Sequence, residues 1–170
     1  MNAIIRDARD ADISALVDLY NQYILNTPIT FDLSPHTVEQ RRQSWFCHYK
    51  PTGRHRLLVA ERDQQVIGYA SSSQFATKAA YDTSVETSIY LAPECLGMGV
   101  GSHLYAALFQ ALATEDVHCA YAGITLPNDA SVAIHKKFGF RQAGIFREVG
   151  RKFDQYWDVA WYEKVISTHQ

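Results

Sequence analysis

Glu86-Thr87-Ser88-Ile89-Tyr90-Leu91-Ala92-Pro93, followed closely by Leu96-Gly97-Met98-Gly99-Val100-Gly101-Ser102, is the stretch that decides how this chain reads. The first part is a β-branched and aromatic run carrying one carboxylate, the pattern of a strand. The second is too glycine-rich to hold obstructing side chains. Where the glycines end, Leu104, Leu108, Ala111 and Leu112 recur at helical spacing. Glycines let successive N–H groups converge, and the first turn of a helix leaves its N–H groups unpaired. Strand, loop and helix therefore make a pocket for a pyrophosphate beside an acid. Spacing alone leaves a flexible turn as the alternative. Two common phosphate motifs are excluded, since there is no Gly-Lys-Ser/Thr ending and no Gly-x-Gly-x-x-Gly with an acid about 20 positions on.

The rest of the composition narrows the ligand. A chain of 170 residues, 47% hydrophobic and 12% aromatic, can bury one core, so a single domain over 1–170 is expected. A formal net charge of −2 lacks the electrostatic footprint of a nucleic-acid binder, and no block of like charges suggests a membrane surface. Cys47, Cys95 and Cys119 are odd in number and widely spaced, which indicates neither a disulfide framework nor a metal site. Charges at Arg6, Asp7, Arg9 and Asp10 fall where a signal peptide needs an apolar core, and no segment approaches a membrane span. A cytoplasmic protein with a small-molecule partner is the expectation.

Outward from the deciding stretch, Ala3–Arg6 reads as a strand, and Asp10 or Asp12 caps a helix marked by Ile13, Leu16, Val17, Tyr20 and Ile24. A proline-bearing loop at 26–35 leads into a second helix from Ser34-Pro35 to about Tyr49. Leu57–Glu61 and Val66–Phe75, joined at Asp63-Gln64, and Thr83–Leu91 form an antiparallel meander. After the glycine loop and its helix come a strand at Ala120–Thr125 and a helix at Ala130–Phe138 closed by Gly139. Two strands, Gln142–Phe153 and Tyr156–Ile166, end the chain. The order βααβββαβαββ is mixed α/β rather than strictly alternating.

A second chemical cluster is Leu126-Pro127-Asn128-Asp129-Ala130-Ser131-Val132-Ala133-Ile134-His135-Lys136-Lys137-Phe138-Gly139-Phe140. With it the chain resembles the GCN5-related N-acetyltransferases. Within them it is most similar to the phosphinothricin and methionine sulfone/sulfoximine N-acetyltransferases, through Tyr20-Asn21, Tyr23-Ile24, Ala80-Tyr81-Asp82, Val85-Glu86, Ser88-Ile89-Tyr90, Gly99, Gly101-Ser102, Leu104-Tyr105, Asn128-Asp129, Ser131-Val132, His135, Trp157 and Val159. The resemblance spans nearly the whole chain. It implies an acyl-CoA N-acyltransferase fold, with a predominantly antiparallel central sheet and helices on both faces. It implies acetyl-CoA as cosubstrate with no metal, and a homodimer.

The chemistry asks for a base, a site for the thioester and relief for the departing thiolate. Glu86, a lone carboxylate in an otherwise apolar strand, is the candidate base, its alternative being an exposed strand carboxylate. His135 falls where many relatives place a tyrosine thought to protonate the thiolate. It would be that acid, an orienting group, or a helix-surface histidine. The resemblance implies cofactor contacts from the backbone of Ile89, Tyr90 and Leu91, from Gly97, Met98, Gly99, Val100, Gly101 and Ser102 to the pyrophosphate, and from Asn128 and Ser131. The family's basic pair is replaced here by Leu96-Gly97, so Lys136, Lys137 or a protonated His103 would supply the charge.

For the acceptor, an amino acid needs its charged group paired and its side chain enclosed. Phe31, Ala76, Thr77, Lys78, Tyr81, Glu86, Thr87 and Ser88 match the family's substrate pocket, with Lys78 as the candidate anion partner. The reaction expected is acetyl transfer to the α-amine of a small amino acid such as phosphinothricin or methionine sulfoximine. Two other readings stay open: a protein N-terminal or lysine acetyltransferase, and a coenzyme A-binding module without turnover.

Overall fold

The computed structural model describes residues 3–166, so the outermost residues of the expected 1–170 domain lie outside the described part. Among the described residues seven strands form, β1 (Ile4–Asp7), β2 (Leu57–Arg62), β3 (Gln65–Gln74), β4 (Ser84–Leu91), β5 (Cys119–Thr125), β6 (Arg141–Lys152) and β7 (Gln155–Val165). The α-helices among them are α1 (Ile13–Asn26), α2 (Val38–Ser44), α3 (Val100–Leu112) and α4 (Asp129–Lys137). The strands join in one sheet of order β1-β2-β3-β4-β5-β7-β6. All neighbours are antiparallel except β4 and β5, which α3 connects as a parallel crossover.

Local chemistry explains the ends of these elements. Asp63 and Gln64 both take positive φ, 52° and 64°, a turn whose twist suits the β2–β3 hairpin. Asn128 caps α4 by accepting from the Ser131 N–H at 3.1 Å, and Gly139, at φ 83°, ends it. Two expectations are corrected. The second helix starts at Val38 rather than Ser34-Pro35, because Thr37 and Gln40 form a reciprocal capping box at 3.2 and 2.8 Å. It ends at Ser44 and leaves only a short 3₁₀ turn at Phe46–His48. Neither aspartate side chain caps α1: the Asp12 carboxylate takes Arg6 at 2.7 and 2.8 Å, and Asp10 pairs with Arg42.

Strand alternation then divides the helices between two faces. Ile89 and Leu91 of β4, with Ile134 of α4, crowd the Cα of Gly101 at the start of α3, so α3 and α4 share that face. Tyr90 points the other way, against Tyr20 and Tyr23 of α1 at ring distances of 5.2 and 5.0 Å. Trp45, just after α2, meets Tyr69 of β3 on the same side at 5.6 Å. Leu104, Tyr105, Leu108 and Leu112 make α3 the centre of the core, each 0% exposed. Burial of such a side chain contributes about 1.5–3 kcal/mol.

Gly68 marks a tight place in the sheet, where the neighbouring strand's backbone comes close. A Cβ there would stand 2.5 Å from Leu91 Cδ2 and 2.9 Å from the Tyr90 carbonyl oxygen. Gly68→Ala should lower stability by about 1–3 kcal/mol, read as a fall in the denaturant midpoint at unchanged slope.

Candidate functional site

Pairing between β4 and β5 covers only Ser84–Glu86 against Cys119–Tyr121. Beyond that, Thr87 Oγ1 donates to the Tyr121 carbonyl at 3.3 Å, and the two strands share no further rung. A cleft fills the gap, lined by Ile29, Thr87–Tyr90, Ala122–Thr125, Asn128, Ser131 and His135. Exposed strand edge and converging polar groups suit an extended, amide-bearing ligand such as a pantetheine arm. Of the expected cofactor residues, Ile89, Tyr90, Asn128 and Ser131 meet here, along with Thr87 and Ser88 from the acceptor set. Leu91 does not line the cleft. Its carbonyl accepts from the Tyr23 hydroxyl at 2.7 Å, and its N–H reaches the same oxygen at 3.4 Å.

His135 is buried, 3% exposed, which overturns its reading as a helix-surface residue. Its Nδ1 lies 2.7 Å from the Ser131 carbonyl, which only accepts, so the ring proton sits on Nδ1. Nε2 then accepts from the Tyr105 hydroxyl at 2.9 Å. Burial lowers the His135 pKa below its usual 6.5, partly offset by the bond to Ser131, and the imidazole is neutral at pH 7. Tyr105 is a site residue whose role sequence reading missed. The sequence marks it only through the family resemblance, because its pairing with His135 is non-local.

Glu86 stands on the opposite face of the sheet, next in register to Ser73 and Tyr121. Its carboxyl is half-buried, and burial alone raises its pKa above the ordinary 4.5. Aromatic groups flank it on both sides. Tyr121 stacks on Phe75 at 4.3 Å, with Trp161 and Tyr81 against the same ring. Tyr90, Tyr69 and Trp45 continue on the other side. Lys78 and Thr77 lie exposed on the turn after β3, with Ala76 partly covered and Tyr81 45% exposed. Among the described residues Lys78 has no ion-pair partner. Phe31 lies over Gly150 of β6, where a Cβ would fall 2.1 Å from its ring. Lys152 donates to the Thr30 carbonyl at 2.8 Å, fixing the same loop.

Gly97 and Gly99 take φ of 76° and 81°, as a glycine cradle requires, and neither would set a Cβ near any other atom. The cradle opens into α3, whose first turn presents Gly101 and Ser102. Met98 is exposed and Val100 buried. The Lys137 ammonium donates to Ser102 Oγ at 2.8 Å, bringing a cation to a loop that has none of its own. The glycine loop and the pairless strand edge both fit acetyl-CoA. Among the described residues no group of three or more His, Cys, Asp or Glu could hold a metal, and no helix is long and apolar enough to cross a membrane.

Comparison with known proteins agrees with this geometry. Residues 5–161 match the Acetyltransferase (GNAT) domain family. A phosphinothricin N-acetyltransferase of Streptomyces coelicolor is 54% identical over 95% of both chains. An L-methionine sulfoximine/L-methionine sulfone acetyltransferase of Pseudomonas paraeruginosa is 30% identical over 96% of this chain and 94% of its own. An acetyltransferase structure from Salmonella typhimurium with its cofactor acetyl-CoA superposes with a TM-score of 0.93 at 28% identity, over 100% of this chain and 97% of its own. A ribosomal-protein-alanine N-acetyltransferase of Brucella melitensis superposes with a TM-score of 0.89 at 35% identity, over 95% and 99%.

Two measurements test the electrostatics. Tyr105→Phe leaves a buried imidazole nitrogen without a donor, and should cost about 1–3 kcal/mol of stability, with the ¹⁵N resonance of His135 Nε2 shifting as its hydrogen bond is lost. The raised pKa of Glu86 means that its stability contribution is present at acid pH and lost as pH rises through that value. The melting temperature of Glu86→Gln should therefore gain on that of wild type between about pH 4 and pH 8, and parallel curves would count against the burial.

Proposed function

The chain belongs to the GNAT acetyltransferases, and from that premise we propose that it acetylates the α-amine of a small amino acid, phosphinothricin, methionine sulfoximine or methionine sulfone among them. It is an acetyl-CoA-dependent N-acetyltransferase. The observation that carries the finer reading is Glu86, a half-buried carboxyl with a raised pKa, set between aromatic walls where β4 and β5 part.

Acetyl-CoA supplies an activated acetyl thioester. Glu86 takes one proton of the acceptor ammonium, directly or through one water, which frees the lone pair to attack the thioester carbonyl; the new C–N bond replaces the C–S bond, and the departing coenzyme A thiolate takes the second amine proton. The edge of β4 at Ile89 and Tyr90 aligns the pantetheine arm, and Asn128 and Ser131 close the cleft around it. His135 works as an orienting group. Its Nδ1 proton is committed to Ser131 and its Nε2 to Tyr105, so it shapes the thiol end of the cleft without offering a proton there. The N–H groups of Gly97, Gly99, Val100 and Gly101 hold the pyrophosphate, those of Met98 and Ser102 being donated to the Cys95 and Gly99 carbonyls, and Lys137 supplies the charge that Leu96-Gly97 lacks. Thr87 and Ser88 line the cleft, and Tyr81 packs on Phe75 of the aromatic wall beside Glu86, with Ala76, Thr77 and Lys78 on the same turn. The enzyme acts as one domain in the cytoplasm, as a homodimer built on the β6–β7 hairpin, where Phe146, Val149, Phe153 and Tyr156 are exposed.

A second reading, acetylation of a protein N-terminal alanine, has one observation in its favour, the likeness to the Brucella enzyme. Thiol release measured over free amino acids, phosphinothricin, methionine sulfoximine, methionine sulfone and alanine-initiated peptides separates the two. Free amino acids should turn over and peptides should not. Glu86→Gln should lower kcat about 10²-fold or more while coenzyme A binds as before, and an unchanged rate at neutral pH rejects Glu86 as the base. Lys137→Ala should weaken coenzyme A and flatten the salt dependence of its binding.

A further inference from the structure

The face of the sheet that carries Glu86 holds another buried charged group, one that the proposed chemistry has not used. Arg41, in the last turn of α2, is only 9% exposed. Its guanidinium sits between the rings of Tyr20 and Trp45, 4.4 and 4.1 Å from their centroids. Among the described residues no carboxylate comes within ion-pair reach of it, and its Nε is fully buried without a hydrogen-bond partner. The acids around it are committed elsewhere. Asp32 accepts from Tyr20 and pairs with His36, each at 2.9 Å, and Glu39 lies beside Arg42.

A guanidinium this deeply buried without a counter-ion is costly, because its donors lose most of their water and gain no anion in return. Two aromatic faces recover part of that cost and fix the plane of the fork. Its Nε remains unsatisfied. The hydroxyl of Tyr69, also buried without a partner, belongs to the same group of side chains, its ring meeting Trp45 edge-on and Tyr90 at a tilt. Tyr49 and Tyr90 stand within electrostatic reach of Arg41 and of Glu86 alike, so cation and carboxylate share one aromatic-rich face of the sheet.

We propose that Arg41 is the oxyanion anchor of the acceptor site, gripping a carboxylate or side-chain oxyacid of the amino acid while the amine faces Glu86. The inference rests on the amino-acid reading of the acceptor given above. A planar, rigid fork suits an oxyacid better than the exposed ammonium of Lys78, which is a mobile point charge. Amines without an oxyanion would leave the guanidinium buried and unpaired, so the same residue rejects them.

The test compares wild type with Arg41→Met and Arg41→Lys, the latter keeping a cation between the rings if the former folds poorly. Acceptors are phosphinothricin, methionine sulfone and the carboxamide of methionine sulfone. In both variants kcat/KM for the oxyacids should fall about 10²-fold or more, mainly through KM, with KM for acetyl-CoA within about twofold of wild type. The preference for methionine sulfone over its carboxamide should collapse if the α-carboxylate is the group held. Loss confined to phosphinothricin assigns the anchor to its phosphinate instead. Wild-type turnover of free amino acids, with KM and the acid-to-amide ratio unchanged in Arg41→Lys and Arg41→Met, overturns the anchor and leaves the proposed function standing. Wild-type turnover of peptides alone overturns both.

Discussion

The parting of β4 from β5 after Glu86 and Tyr121 is the constraint on which the rest of the structure depends. Two parallel strands that stayed paired would bury every backbone group between them and leave nothing for a ligand. Here the pairing stops after Ser84–Glu86, Thr87 makes one last contact to the Tyr121 carbonyl, and the strand edge beyond is left to the cleft. The antiparallel neighbours on either side, β3 and β7, hold the two strands rigidly apart. The opening can therefore persist without a ligand. It is a feature of the sheet rather than of a loop, and its geometry is set by the core packed beneath it.

That opening also lets one strand serve both faces. Alternation along β4 sends Thr87, Ile89 and Leu91 toward α3 and α4, and Glu86, Ser88 and Tyr90 toward α1 and α2. Glu86 and His135 thus lie on opposite faces of the sheet, joined only through the cleft. In the proposed reaction a base on the acceptor side and a neutral, doubly bonded imidazole on the cofactor side divide the labour. The first can gain a proton when its substrate arrives; the second is already fully committed.

Much of this was legible in the chain. The order of elements, the glycine cradle and the α4 cap at Asn128 all rest on local chemistry, which short stretches of sequence carry. So did the oddity of a carboxylate at position 86 of a β-branched strand. The extent of α2 was misread because Ser34-Pro35 is a good start signal that loses to the capping box of Thr37 and Gln40, with α2 stopping at Ser44. The roles of Tyr105, Tyr23 and Arg41 were hidden for a different reason. Each looks like an ordinary helix residue, and its meaning lies in a partner far along the chain: Tyr105 with His135, Tyr23 with Leu91, and Arg41 with an aromatic pair drawn from two helical segments. Lys78, conversely, was singled out by resemblance to a charged position, yet its side chain lies exposed on a turn.

Groups that look wasteful in the free protein become intelligible when they are considered together. Among the described residues, Glu86 is half-buried with no cation paired to it, Arg41 is buried with no carboxylate in ion-pair reach, and Tyr69 keeps a buried hydroxyl without a partner. Each costs stability, and a chain selected for stability alone would pair or replace them. If Glu86 and Arg41 bonded to each other, the cost would vanish and so would the site. Aromatic side chains from α1, from β3 and β4, and from the turn after α2 keep them apart while shielding them from water. An ammonium next to the carboxylate and an oxyanion next to the guanidinium would satisfy both at once. A zwitterionic acceptor is the simplest molecule with that complement of charges, which neither a neutral amine nor a simple carboxylic acid offers.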